Sequence, residues 1–400
     1  MVVKIGIQIQ SETQSSNNTM KTKFWALPIF LLLATLNITA HSAEVGVTES
    51  EIRIGQFAAL SGPAAELGKR LQLGIQAHFT AINAAGGIKG RKLTLISRDD
   101  GYEPDKAAAA VKALIEEDKV FALIGSVGTP TTLAAVPAIN AAGIPLIGPF
   151  TGAQALREPF NRNIFHVRAS YFDETERIIQ HLSTVGIKKI AVFYQNDSYG
   201  KAGLEGVTRA LAKRNLKPAA AVTVERNSVD VAVALAEILK TNPEAVIQIS
   251  AYKSCAALIK QSRAKSYAGQ FFNVSFVGSK ALADELGEAS SAGVSISQVV
   301  PFPYTPSSAV VREYQQRMLE AGNKDFDFSS IEGFLAAKVL TEGLRRAPGK
   351  SLTRESLTTA LQSLRDYDMG GFSVSYSAKS HEGSRYTDLT TIGRGGKFIR

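Results

Sequence analysis

EIRIGQFAALSGPAAELGKRLQLGIQAHFTAINAAGGIKGRKLTLISRDDGYEP, residues 51–104, switches twice between the hydrophobic periods of strand and helix. Ile52, Ile54 and Phe57 open a β-rich run that stops at Ser61-Gly62-Pro63, a turn-forming tripeptide. Leu67, Leu71, Ile75, Phe79 and Ile82 then recur at helical spacing, so one face of a helix is apolar. Ala85-Gly86-Gly87 ends that helix, because glycine enters the left-handed C-cap conformation without a Cβ clash. Lys92 to Ser97 alternates as a strand does, and Asp99-Asp100-Gly101 closes it. Strand, helix and strand within about fifty residues make a parallel βαβ unit.

The alternation continues. Pro104 starts a helix through Ala107, Val111, Leu114 and Ile115, and Val120 to Ile124 is a continuous apolar run, as expected of a parallel strand covered on both faces. A loop from Gly125 to Pro130 leads to a helix over Thr131 to Asn140, then to short strands at Ile144 to Ile147 and Asn163 to Arg168. A second round begins at Ile190. Its strands are Ile190 to Tyr194, Pro218 to Val224, Ala245 to Ile249, Phe271 to Phe276 and Val294 to Val300. Its helices are Tyr199 to Arg214, Val229 to Lys240 and Tyr252 to Lys265; nothing is assigned between Arg168 and Ile190. Three helical stretches follow, Val311 to Leu319, Ile331 to Leu344 and Arg354 to Leu364, with late strands at Phe372 to Tyr376 and Tyr386 to Ile392. Two rounds of alternation predict two doubly wound α/β lobes, and 400 residues are too many for one small core.

Apolar residues at 45% and charged residues at 20% describe an ordinary globular chain. The formal charge is +9; residues 1–43 hold Lys4, Lys21, Lys23 and Glu12, so the remainder has 42 basic against 35 acidic residues. That surplus is spread out without a dense Lys/Arg block, which argues against a nucleic-acid partner. Cys255 is the only cysteine, so there is no internal disulfide and no multi-cysteine metal site.

Residues 1–19 form a polar stretch without structural signal, and Met20 then opens a secretory pattern. Lys21 and Lys23 supply the charged region, Phe24 to Leu36 the apolar core, and Ala40-His41-Ser42-Ala43 the small residues for cleavage. The expectation is an extension over 1–19, a signal peptide over 20–43 and an exported product that is not membrane-embedded; no cysteine follows the apolar run to carry a lipid.

Enzyme signatures are missing from the pattern. His78, His166, His181 and His381 form no close metal-ligand pair, and there is no GxSxG elbow or GxxxxGK[ST] phosphate loop. Ser198-Tyr199-Gly200-Lys201 fits SxxK without its partner motifs, and Gly393 to Lys397 reads as a hairpin turn. No catalytic residue, metal or cofactor is expected. The loops at strand ends are more informative, since open α/β sheets bind ligands outside the carboxyl ends of their strands. Ser61 to Ala64, Gly125 to Thr131 and Phe150 to Gly152 are rich in small residues and hydroxyls. Thr129-Pro130 reads as an N-cap with proline at the first helical position; the free N–H groups there suit an anion, although plain capping explains the pattern as well.

The order Ser61-Gly62-Pro63, Ile82 to Gly87, Gly90-Arg91-Lys92 and Asp99-Asp100 resembles the first βαβ unit of the periplasmic binding proteins for branched-chain amino acids and amides, which feed ABC importers. Each piece is weak alone; in this order and spacing they are specific, and the likeness runs from about Glu51 to the C-terminus. The resemblance implies the type I periplasmic binding fold, with two lobes joined by a three-crossing hinge near Ala169, Phe302 and Tyr376. Residues 44–169 with 302–376 would form lobe 1, and 170–301 with 377–400 lobe 2. It implies a monomer that closes on a small ligand and is read by ABC permease and ATPase subunits. A ligand-sensing protein of the same fold, or a secreted enzyme, are the rival readings.

The resemblance also implies a site. Ser61, Gly128, Thr129, Thr131, Phe150 and Gly152 match first-lobe positions, of which the last two loops hold a ligand carboxylate, and Tyr199 and Tyr252 match aromatic contacts of the second lobe. An acid that pairs with a ligand's ammonium in amino-acid-binding relatives falls at Ser279 or Lys280. Lysine there reverses the charge, which implies a ligand without an ammonium unless Asp284 substitutes. Two departures stand out: Leu67 where an aromatic is common, and Tyr102 with Gly128 where some members have a disulfide.

Overall fold

β1 (Glu51–Ala58) and β2 (Lys92–Asp99) pair in parallel, Glu51 opposite Lys92 and Ala58 opposite Asp99, with the crossover helix α1 (Ala65–Ala84) between them in sequence. The coordinates are those of a computed structural model that describes residues 11–16, 44–349 and 351–400. The leader reading of residues 20–43 and most of the extension before it lie outside the described residues. α2 (Pro104–Glu116), β3 (Ala122–Ile124), α3 (Thr129–Ala142), β4 (Leu146–Ile147) and β5 (Ile164–Phe165) complete a five-stranded sheet. Its order is β2-β1-β3-β4-β5, parallel throughout, and β3, β4 and β5 are wholly buried, as their apolar runs predicted.

The chain then builds a second sheet. α4 (Tyr171–Thr184) leads to β6 (Ile190–Gln195), α5 (Ser198–Ala212), β7 (Ala220–Val224), α6 (Ala232–Thr241), β8 (Ala245–Ile249) and α7 (Tyr252–Ala264). β9 (Gln270–Asn273), α8 (Ser279–Leu286), α9 (Glu288–Ser291) and β10 (Val294–Gln298) follow. The sheet runs β14-β13-β10-β9-β8-β6-β7, its last two members, β13 (Asp388–Ile392) and β14 (Phe398–Ile399), being antiparallel. α4, like the short α8 and α9, is a helix that the sequence pattern did not yield. Ser170 caps it, accepting from Asp173 N at 3.1 Å while its own N–H donates to Asp173 Oδ2 at 3.0 Å. Its buried face includes the ionisable Glu174, which interrupts the apolar period.

Between β10 and β13 the chain returns to the first sheet as α10 (Ala309–Glu320), α11 (Phe328–Arg346) and α12 (Arg354–Gln362), followed by the small hairpin of β11 (Tyr367–Asp368) and β12 (Ser373–Val374). α11 packs along α1 at backbone distance. A Cβ on Gly74 would strike the Ser330 carbonyl, and one on Gly333 would strike that of Leu71, so only glycine lets the helices approach so closely. Three passages therefore join the sheets: one between β5 and α4, one between β10 and α10, and one ahead of β13. The last leaves the first sheet late, because Glu382 still bridges His166 of the first passage and Tyr376 Oη donates to the His166 carbonyl at 2.9 Å.

Both sheets have the doubly wound order in which the strand sequence reverses beside the first strand, at β1/β3 in one and β6/β8 in the other. Loops leaving the carboxyl ends of those strands diverge there and leave a crevice. The two crevices supply the candidate site.

Candidate functional site

The first-sheet wall is built at the start of α3. Gly128, at φ 101°, is the N-cap and offers no side chain to the helix; Thr129 is the first helical residue. This corrects the expectation that Thr129 caps the helix. The reason is conformational, since the cap position here requires a positive φ that threonine disfavours. Freed from capping, the Thr129 hydroxyl meets Thr151 Oγ1 at 2.6 Å, and Thr151 Oγ1 meets Tyr171 Oη at 3.2 Å, all three buried. Thr151 donates to Tyr171 Oη, so Thr129 donates to Thr151 and the proton left to donate elsewhere is that of Tyr171. The uncapped N–H groups of α3 point the same electrostatic way, toward an anion. Thr131 is engaged differently: its hydroxyl donates to the carbonyls of Val127 and Gly128. Gly152 uses its carbonyl to hold Tyr171 N at 2.8 Å, tying this wall to the start of α4.

Asp197 caps α5, accepting from Tyr199 N at 2.9 Å, and so turns Tyr199 into the second-sheet wall. Tyr199 is fully buried, and its hydroxyl has no hydrogen-bond partner among the described residues. Its ring lies 4.6 Å from that of Phe276 and 5.4 Å from that of Tyr171. Phe276 in turn meets Phe150 at 5.5 Å and Tyr102 at 5.8 Å, both from the first sheet. Burial pushes the Tyr199 phenol well above its usual range and the Tyr171 phenol up to about 12, so both stay protonated donors.

Tyr102 explains one departure from the family pattern. A Cβ on Gly128 would run into the Tyr102 ring, so the two positions fill each other's space without a covalent link. The ring then reaches across the crevice, where Gln195 Nε2 donates to Tyr102 Oη at 3.1 Å.

Behind these rings lies a buried charge cluster on the first passage. Arg168 Nε meets Glu332 Oε1 of α11 at 3.0 Å, and Arg168 Nη2 donates to Ser275 Oγ. Glu174 of α4 accepts from Ser275 N at 2.7 Å, from Ser275 Oγ at 3.0 Å and from Ser297 Oγ. The guanidinium stands 4.7 Å over the Phe150 ring. Burial pushes the Glu332 carboxyl up to about 7 and Glu174 upward, in both cases against the pull of Arg168.

At the rim, Arg226 pairs with Glu103 across the crevice at 3.2 Å and with Asp197 on its own side at 3.3 Å. Asn227 Nδ2 donates to Glu103 Oε1 at 2.8 Å and to the Gly101 carbonyl at 3.3 Å. Leu67 packs against Gly278.

Of the residues read from sequence, Thr129, Phe150, Gly152 and Tyr199 come together around this aromatic cluster, with Gly128 and Thr131 forming the helix start beneath. Ser61, Tyr252 and Lys280 stand apart. Ser61 is exposed, its N–H held by Asp99 Oδ1 at 3.1 Å; Tyr252 is buried against Glu66 in the first turn of α1. The Lys280 ammonium is paired with Asp284 at 2.9 Å and with Asp325, from the first-sheet side, at 3.7 Å. Sequence reasoning missed Thr151, Tyr171, Arg168, Glu174 and Glu332 as neighbours. The hydroxyl after Phe150 was the one signal that a closer reading of that loop would have used.

Among the described residues, no group of three or more His, Cys, Asp or Glu stands in metal-holding geometry, and no helix is long and apolar enough to cross a membrane. His78 is buried, its Nε2 2.9 Å from Thr341 Oγ1 on the α1–α11 seam.

Residues 51–397 match the family of periplasmic binding proteins. The chain is 23% identical over 381 residues to Leu/Ile/Val-binding protein homolog 7 of Brucella abortus, spanning 90% of this chain and 93% of that one. Its fold is similar to the crystal structure of a possible leucine/isoleucine/valine-binding protein from Rhodopirellula baltica, with a TM-score of 0.83 and 33% identity over 90% of this chain and 98% of the other. A substrate-binding periplasmic protein from Ralstonia solanacearum is equally similar, with a TM-score of 0.83 and 33% identity, covering 87% and 99%. A family match across nearly the whole described fold, together with paired switch-point crevices, assigns the chain: it belongs to the periplasmic binding proteins.

Proposed function

We propose that this protein is the extracytoplasmic solute-binding component of an ABC importer, which captures a small amino-acid-like, carboxylate or amide ligand by closing two lobes around it. One observation carries the reading: two separate sheets present their switch-point loops to each other, joined by three passages and no shared strand. Apart from the backbone bond of Tyr171 N to the Gly152 carbonyl, which sits at the first passage itself, each hydrogen bond named above between the walls involves a side chain, so rotation about the passages separates the walls without breaking a ladder. The ligand docks first on the α3 start, where Thr129, the Gly128 turn and the backbone of Phe150 and Gly152 receive a carboxylate. Tyr199 and Phe276 then close over its apolar body and exclude water. Closure aligns Glu103 with Arg226 and Asp325 with Lys280, composing a surface that a permease can distinguish from the open form. ATP is hydrolysed by other subunits. Relatives that are named for leucine, isoleucine and valine support the size of the ligand.

The test is a thermal-shift screen across amino acids, amides, urea and aromatic acids. Ligand at a hundredfold excess over Kd should stabilise the protein by about 2.7 kcal/mol. A screen in which nothing raises the melting temperature, with uptake unimpaired after deletion of the gene, refutes the reading.

A further inference from the structure

The cluster at the back of the cleft has more donors than acceptors. Arg168 is 1% exposed, and only its Nη2 makes a hydrogen bond, to Ser275; Nη1 has no partner among the described residues, and Nε lies 3.0 Å from Glu332 Oε1 as an ion pair without hydrogen-bond geometry. Tyr199 Oη, also buried, is unpartnered too. The carboxylate oxygens of Glu174 are already taken up by Ser275 and Ser297. Phe150 lies under the guanidinium, and Phe276 lies beside Tyr199. Buried N–H groups of a guanidinium rarely lack an acceptor, and leaving them so is costly. The attraction to the Phe150 ring offsets part of that cost but does not supply an oxygen.

Net charge does not decide what fits. Two carboxyl groups, Glu332 and Glu174, act on Arg168, so its single positive charge is already countered without a ligand. Hydrogen-bond direction decides instead: an ammonium here would set donor against donor, whereas an oxygen would complete the set. We infer that Arg168 is a ligand contact, its Nη1 donating to a carbonyl or carboxylate oxygen of the solute, so that the cleft selects compact apolar acids or amides without an amino group. This rests on the binding function proposed above and names its ligand class. It stands independently of Lys280, whose ammonium is held at the rim.

The experiment is calorimetric titration of the protein and of Arg168→Lys, which keeps the charge and loses the fork of donors. The probes are leucine, valine, 4-methyl-2-oxopentanoate, 3-methyl-2-oxobutanoate, 4-methylpentanamide and benzoate. At least one probe without an amino group should bind tenfold or more tightly than leucine and valine. Arg168→Lys should weaken that probe at least tenfold while the variant's ligand-free melting curve stays cooperative. Should the variant fail to fold, the order of affinities in the unaltered protein decides alone. Leucine or valine binding as tightly as every analogue overturns the inference and leaves the binding function standing, as does an Arg168→Lys affinity equal to that of the unaltered protein. Binding of none of the six overturns the inference, while the binding function is decided by the wider screen and the uptake test given above.

Discussion

Replacing Thr129 by valine keeps the β-branch and the volume of the side chain and removes one hydroxyl. In the ligand-free protein the loss is the 2.6 Å bond to Thr151 Oγ1, worth about 0.5–1.5 kcal/mol. Thr151 is not stranded, because Tyr171 Oη at 3.2 Å and Ala153 N at 3.3 Å still satisfy it. α3 loses no cap either, since Gly128 holds that position without a side chain. Stability should therefore fall little, with a melting temperature lower by no more than about 3 °C. Binding should suffer more. A bound carboxylate draws the Thr129 proton away from Thr151, and a hydroxyl that donates to a charged carboxylate contributes about 1.5–3 kcal/mol, so its loss raises Kd by about 10- to 150-fold. Calorimetric titration with the ligand found in the screen gives Kd, and scanning calorimetry without ligand gives stability. An unchanged Kd together with a clearly lower melting temperature would show that the hydroxyl braces Thr151 and does not touch the solute.

Three further outcomes follow from the same geometry. Glu332→Gln removes a carboxyl whose folded value, near 7, lies above its ordinary 4.5, so the folded state holds that proton more tightly and stability falls as pH rises between those values. The variant should lose up to about 1.4 kcal/mol per pH unit of that slope in denaturation from pH 4.5 to 7.5, and identical slopes would refute the assignment. Arg226→Gln removes the partly exposed pair to Glu103 and should weaken binding by less than about fivefold, at about 0.2–1 kcal/mol, while lowering its dependence on salt; a larger loss that ignores salt would count against a rim clasp. N-terminal sequencing of the periplasmic fraction should give a chain beginning near Glu44, and Met1 or Val2 on the bulk of the protein would rule out the leader.

Much of the fold was legible because single elements keep one period. α1 shows an apolar stripe over five helical repeats, and β3 is apolar throughout because helices cover both its faces. α4 was invisible for a definite reason: Glu174 occupies a buried position on its inner face, and its compensating partners, Arg168 and Ser275, belong to other elements. The charge cluster was illegible for the same cause. Arg168 reads as an ordinary basic residue at the end of a strand, and Ser275, which it reaches, lies 107 residues away. The carboxylate loops were readable as small residues and hydroxyls at strand ends. Which hydroxyl faces the cleft was not, because it depends on a positive φ at Gly128 and on Thr131 turning back to the backbone. Lys280 shows the limit of local matching. Residue spacing brought it to the expected position, whereas Asp284 and Asp325 determine where its ammonium ends up.

The order in which the lobes are completed bears on how the chain matures. α11, which covers α1, begins only at Phe328, and β13, which flanks β10, begins only at Asp388. A growing chain shorter than about four-fifths of its length thus holds no finished lobe, only sheets with bare apolar faces and an open edge. Native structure must wait for nearly the whole polypeptide, and contacts of such long sequence separation form slowly. In the export proposed for this chain, by passage unfolded through a translocation pore, that delay is useful: topology itself holds off premature folding until the last residues have been made.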